Sequence, residues 1–355
     1  MKNISLKKRN FERTAFGSEV STGVVDPRDG FFLIIDFKER VNCEEWMREY
    51  KELVNECLLE HGVVYLKNAG IKKDEVINVV SQFAQKNSLV DSYQGGVTGR
   101  PRVDKSLFLT TSIPAPAAIL QHHEMSYLST FPKHLFFYSF RTAEHGGATP
   151  VTFSRRVKKD INPELFRQLK KRGICYIRNF FPDAKEDWHV LLSWQKAFQV
   201  ETKSELVDCV KKQGFELEWL DGGQIRTKNT RPAVMVHPTT GEEFVFNHSF
   251  VLHSYSEPGK QCPARRGYLQ TCRPDELKKI DELPQWDQPY LATWGDTNEP
   301  LSGDVLEELF HVYNSNKLAM NWGSGDLMIV DNILASHGRD PFLGPRETFA
   351  AFSRF

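Results

Sequence analysis

The sequence predicts an α+β fold, a double-sheet β core with helices at its periphery, and three observations carry that expectation. Short segments rich in β-branched and aromatic residues recur along the chain. Amphipathic segments at helical spacing separate only some of them, and no regular strand-helix alternation links them as a doubly wound sheet requires. At 355 residues and 40% hydrophobic content the chain can bury a large core. With no recognisable linker, residues 31–355 read as a single domain. The preceding residues 1–30 open on the basic run MKNISLKKRNFERTAF, which lacks the apolar stretch of a secretory signal, and read as a mobile leader.

The elements follow in order. Phe31 to Ile35 is a short apolar segment. From Asn42, the residues Trp46, Tyr50, Leu53, Val54, Cys57 and Leu58 recur at helical spacing with Glu, Lys and Arg on the other face, and Gly62 ends the helix. Val63 to Leu66 reads as a buried strand, Asn68-Ala69-Gly70 as a turn, and residues 73–85 as a second helix. Through Gln94 to Ala118, Gly, Pro, Ser and Thr become frequent, which predicts a long functional loop, a lid over the site. Strands are then predicted at 135–140, 148–153, 233–236, 243–246, 327–330 and 348–353. Helices are predicted at 163–172, 203–213 and 303–316.

Composition excludes several classes. Lys plus Arg and Asp plus Glu number 46 each, so no overall field favours nucleic acid or an anionic membrane. The longest apolar runs fall far short of the roughly 20 residues that span a bilayer. The six cysteines form no CxxC pair, which fits reduced thiols in a cytoplasmic protein better than a zinc ribbon or a disulfide framework.

Two distant segments carry the chemistry, Gln121-His122-His123-Glu124-Met125-Ser126-Tyr127 and Val330-Asp331 through His337-Gly338-Arg339. If residues 122–124 are extended, His122 and Glu124 share one face while His123 points away. A histidine and a carboxylate two residues apart, completed by His337, make a 2-His-1-carboxylate facial triad for iron(II) that leaves three coordination positions open. Nine residues after His337 stands Arg346, a side chain suited to bidentate recognition of the remote carboxylate of 2-oxoglutarate. The turn Gly146-Gly147-Ala148-Thr149-Pro150 adds a hydroxyl donor, Thr149, to the same carboxylate, although the segment also reads as an ordinary turn.

In order, Gly62 to Lys67, His122 to Tyr127, Gly146 to Pro150, His237 to Glu242, Phe246-Asn247-His248 and Asp331 to Arg346 resemble the landmarks of the taurine dioxygenase-like (TauD/TfdA) family of iron(II)/2-oxoglutarate oxygenases. The resemblance runs from about residue 31 to the C-terminus. It implies a double-stranded β-helix (jelly-roll) core with peripheral helices, His122, Glu124 and His337 as iron ligands, and Arg346 with Thr149 at 2-oxoglutarate. It also implies O2 as co-substrate, with succinate and CO2 as co-products. Relatives often have a second basic residue beside the arginine, where this chain has Glu347, so Arg354, on the same strand face by parity, is the fallback anchor. A carboxylate at 124, rather than the Gly or Ala of halogenating relatives, favours hydroxylation, with desaturation or cyclisation as alternatives. The subgroup resembles the aspartyl hydroxylase of the syringomycin pathway. That points to a small, polar, amino-acid-like substrate, free or tethered to a carrier protein, in natural-product biosynthesis. Gln121, Tyr127, Asn247, His248 and Arg339 are candidate contacts to it, and Asp331 and Asn332 are candidates to orient the ligands. The rival readings are a cupin-like enzyme without a keto acid, which Arg346 and Thr149 oppose, a zinc hydrolase, which lacks His-Glu-x-x-His, and a jelly-roll binding protein without activity.

Overall fold

The computed structural model describes all residues except 1–15, 27–28, 85, 98–99, 111–112 and 181–192. Its framework is an eight-stranded sheet ordered Val20–Asp26, Phe31–Phe37, Val63–Lys67, Leu327–Asp331, His134–Arg141, Glu347–Ser353, Leu107–Leu109 and Arg102–Asp104. Facing it is a four-stranded sheet ordered Lys317–Leu318, Val151–Phe153, Ala335–Arg339 and Ile119–His122. Aromatic rings fill the space between the two: Phe31 stacks on Phe153 at 4.5 Å, and Phe137 lies 4.9 Å from the His337 ring.

The alternation of side chains across the large sheet explains both of its packed faces. Val63, Tyr65, Met328 and Val330 point into the inter-sheet core. Val64, Leu66, Leu327 and Ile329 point outward against the helices Cys43–His61 and Val76–Ala84, through Trp46, Met47, Val54, Leu58, Val79 and Val80. The first helix starts and stops where its sequence dictates. The Asn42 side chain accepts from the Glu44 and Glu45 amides, and Gly62 closes it at φ 70° with its N–H on the Leu58 carbonyl.

Two expectations are corrected. The predicted leader is not a leader throughout: Val20–Asp26 pairs antiparallel with Phe31–Phe37, from Val20 opposite Phe37 to Asp26 opposite Phe31. Residues 1–15 lie outside the described residues. A second four-stranded sheet, Glu216–Trp219, Ile225–Arg231, Ile174–Phe180 and Tyr290–Trp294, was not foreseen at all. The predicted long loop at 94–118 also holds structure of its own, a hairpin of Arg102–Asp104 and Leu107–Leu109 that joins the large sheet beside Glu347–Ser353. Among the described residues no helix is long and apolar enough to cross a membrane, and all six cysteines are buried and free.

Candidate metal and cosubstrate site

The strand Ile119–His122 pairs with Ala335–Arg339 so that His122 sits directly opposite His337. Register alone therefore brings together two imidazoles that are 215 positions apart in sequence, with ring centroids 4.3 Å apart. The strand ends at His122, and Glu124 stands in the following turn rather than on an extended strand, with Met125 at φ 57°. Glu124 nonetheless shares the side of His122, while His123 turns away, its Nδ1 2.6 Å from the Asn332 carbonyl and its Nε2 3.2 Å from the Tyr313 hydroxyl.

Among the described residues, His122, Glu124 and His337 offer donor atoms that all lie within 4.8 Å of one another. Glu124 Oε2 is 3.3 Å from His337 Nε2 and 3.9 Å from His122 Nε2. Ligands about 2.0–2.2 Å from one ion and at right angles are separated by roughly 3 Å, so the trio needs little adjustment to meet a metal. The protonation of His122 and Glu124 suits one too. The Leu120 carbonyl, 2.8 Å from His122 Nδ1, can only accept, so Nδ1 carries the proton and Nε2 presents its lone pair. Burial, with His337 and His248 nearby, keeps His122 neutral by pushing its pKa well below 6.5. Burial alone would raise the Glu124 carboxyl; Arg100 beside it, with a hydrogen bond from His337, outweighs burial and holds it well below the usual carboxylate range.

Asn332 fixes the turn that carries Glu124. Its Oδ1 accepts from the Glu124 amide at 2.8 Å, and its Nδ2 donates to the Glu124 and Pro132 carbonyls at 3.0 and 2.9 Å. Asp331 holds the other side of the same junction. Its Oδ1 accepts from the Ile333 and Leu334 amides, and its Oδ2 lies 3.1 Å from His237 Nε2, which gives the His237 landmark a structural part.

A cleft opens from the trio and is lined by Arg346 and Thr149 as well. Arg346 donates from Nε to the Gly147 carbonyl at 2.9 Å, and among the described residues its two terminal nitrogens have no partner, leaving that edge of the guanidinium to face a carboxylate. Gly147 must be glycine to allow this: it sits at φ 72°, and a Cβ there would come within 3.0 Å of Arg346 Cδ. Thr149 Oγ1 accepts from Trp322 Nε1 at 3.2 Å, so its own hydrogen is left to donate. The fallback Arg354 does not line the cleft; its side chain is largely exposed and lies 3.7 Å from Asp91.

The candidate substrate contacts divide. Tyr127, His248 and Arg339 line the cleft, and His248 packs against His122 with centroids 4.4 Å apart. Gln121 and Asn247 do not line it. Gln121 bridges the Pro150 carbonyl and the Ser336 hydroxyl, and Asn247 accepts from the Ser249 amide. Arg339 has its terminal nitrogens on the Ile113, Pro114 and Ala117 carbonyls. The predicted lid contributes Val97, Arg100, Thr110, Ile113 and Ala118 to the cleft wall. Sequence reasoning missed Tyr93 and Arg100, which touch Glu124, and Trp322; the only signal for Arg100 was its place in a loop marked as functional.

Over residues 35–351 the chain matches the family described as taurine catabolism dioxygenase TauD, TfdA family. The chain belongs to the TauD/TfdA family. It is thus an iron(II)- and 2-oxoglutarate-dependent oxygenase with O2 as co-substrate, and its two facing sheets form the jelly roll of such enzymes. The dapdiamide synthesis protein DdaC of Enterobacter agglomerans is 31% identical over 293 residues, 82% of each chain. A clavaminate synthase-like protein of Arabidopsis thaliana is 24% identical over 312 residues, 87% of this chain and 86% of that one. PvcB of Pseudomonas aeruginosa, described as an Fe, alpha-ketoglutarate dependent oxygenase from an isonitrile synthetic pathway, superposes with a TM-score of 0.50 at 13% identity, covering 100% of this chain and 95% of PvcB.

Proposed function

We propose that His122, Glu124 and His337 hold iron(II), that Arg346 and Thr149 receive the remote carboxylate of 2-oxoglutarate, and that residues 31–355 act as one oxygenase unit. The observation that carries this reading is a single cleft containing the three donor atoms together with a guanidinium edge and a hydroxyl free to engage a carboxylate. Bound iron(II), with the keto acid, supplies the activation of O2 that oxidises an unactivated C–H bond as 2-oxoglutarate becomes succinate and CO2.

The remaining work is done by the chain's own side chains. His122 presents the lone pair of its Nε2 and Glu124 an ionised carboxylate, the states that metal binding requires of these two ligands. Arg346 orients the keto acid from its far end, and Ile113, Leu120, Phe137 and Val251 provide a water-poor wall. The substrate on this reading is a small, polar, amino-acid-like molecule that is hydroxylated, a reading supported by the likeness to a dapdiamide synthesis protein. It is presented free or on a carrier protein, in a cytoplasm that keeps the six buried thiols reduced.

The test measures succinate from 2-oxoglutarate with iron(II), ascorbate and air across free amino acids and their carrier-bound thioesters. His337→Ala abolishes turnover on this reading. Arg346→Met raises the 2-oxoglutarate KM by roughly 10- to 100-fold, as loss of a bidentate charged contact implies, whereas Arg354→Met leaves it unchanged. Equal effects of the two arginine changes would reject the anchor, and wild-type protein that binds no iron(II) would reject the ligand set.

A further inference from the structure

A glutamate reaches a metal through one more methylene than an aspartate, so its carboxylate has one more torsion to fix. The chain supplies two groups that fix it. The Tyr93 hydroxyl donates to Glu124 Oε1 at 2.5 Å, and Arg100 Nη2 donates to Oε2 at 2.8 Å. Both donors are buried, and the Arg100 guanidinium is itself held between the Tyr93 ring at 4.6 Å and the Phe352 ring at 5.2 Å. With Asn332 gripping the Glu124 backbone on both sides, the carboxylate is constrained at its root and at its tip.

The two oxygens are treated differently. Oε2 is the one near both imidazoles, and because a carboxylate oxygen has two lone-pair sites it can keep Arg100 and still face the centre. Oε1 is capped by Tyr93. A carboxylate can bind a metal through one oxygen or two, and the two-oxygen mode would occupy a position that an oxygenase of this class must leave open.

We propose that Tyr93 and Arg100 are positioning residues that hold Glu124 as a one-oxygen ligand, keeping the adjacent coordination position free for the keto acid and O2. This rests on Glu124 being a ligand to iron(II). Tyr93 and Arg100 flank the start of the loop that also walls the cleft.

The experiment is an anaerobic titration with iron(II), then with 2-oxoglutarate, followed by the visible charge-transfer absorption, on wild type, Tyr93→Phe, Arg100→Met and Arg100→Lys. Tyr93→Phe and Arg100→Met are expected to weaken iron(II) binding roughly 10- to 100-fold, the range for groups that orient metal ligands. The absorption band of their iron(II)/2-oxoglutarate complexes is expected to move from its wild-type position, and Arg100→Lys to restore part of both. A role in folding alone would lower the melting temperature without moving the band. Tyr93→Phe deletes one hydroxyl and leaves the packing ring in place, so it decides the matter if Arg100→Met fails to fold. Iron(II) affinity within about twofold of wild type, with the band unmoved, overturns the proposal. Failure of the wild type itself to bind iron(II) would instead strike the ligand assignment.

Discussion

At the scale of single residues, Asn332 shows how much of the site is held by a group that touches neither metal nor cosubstrate. One amide side chain satisfies the Glu124 N–H, the Glu124 carbonyl and the Pro132 carbonyl, all buried. Asn332→Ala leaves these groups without partners in a place water does not reach, and is expected to destabilise the protein by roughly 2–4 kcal/mol while loosening the metal ligand. Urea unfolding of the metal-free protein measures the first effect. An unchanged midpoint would mean that the turn stands without Asn332. The sequence placed His122 and Glu124 on one side by assuming an extended strand; the two do share a side, but a turn after His122 brings this about, and the cleft that holds them is also lined by Arg346. Tyr93, Arg100 and Trp322 were not legible in the sequence, since their contacts depend on how a loop and a chain end fold back. No spacing encodes that.

At the scale of elements, the helices were read well because caps and period announce them: residues 163–172 and 303–316 appear as Pro163–Arg172 and Gly303–Ser315. One strand of the unforeseen sheet has a physical reason for its silence. In Ile225–Arg231 the buried face is Ile225, Thr227 and Asn229, so the alternation is present but two of its three inward residues are polar, and hydropathy does not register it. The same sheet bears on the lid. Arg178, buried in Ile174–Phe180, donates to the Gly95 and Gly96 carbonyls at 2.7 and 3.0 Å, while Arg339, two residues past His337, donates to the carbonyls of Ile113, Pro114 and Ala117. Both ends of the 94–118 segment are thus tied by guanidinium groups to the strands beneath. Arg339→Met is expected to speed amide hydrogen exchange at residues 113–118 and to increase 2-oxoglutarate turnover that yields no oxidised substrate. Coupling of succinate to product at the wild-type ratio would show that this tie does not control closure.

At the scale of the whole molecule, a balanced formal charge conceals an uneven interior. Several histidines are buried neutral. Burial pushes His134 and His253 down to about 4, with Asp331 near His134 pulling the other way. Both are depressed below the unfolded value of about 6.5, so the stability they contribute is complete above pH 6.5 and is lost as pH falls toward 4, each by up to about 1.4 kcal/mol per pH unit. Denaturation of the metal-free protein at pH 6.5 and pH 5 is expected to show a lower midpoint at pH 5, before most carboxylates titrate. A flat profile would mean that these imidazoles are solvated.

The first strand has a consequence of a different kind. Val20–Asp26 covers the outer edge of Phe31–Phe37, whose sequence FFLIIDF is seven residues with one charge, five of them buried. Stripped of its neighbour, that strand would present an unpaired, strongly apolar row of N–H and C=O groups, the template on which chains add to one another. A chain beginning at residue 27 should therefore aggregate at concentrations where the full chain remains dispersed, as light scattering would show. The segment that reads as a leader in the sequence thereby acts as a guard against self-association.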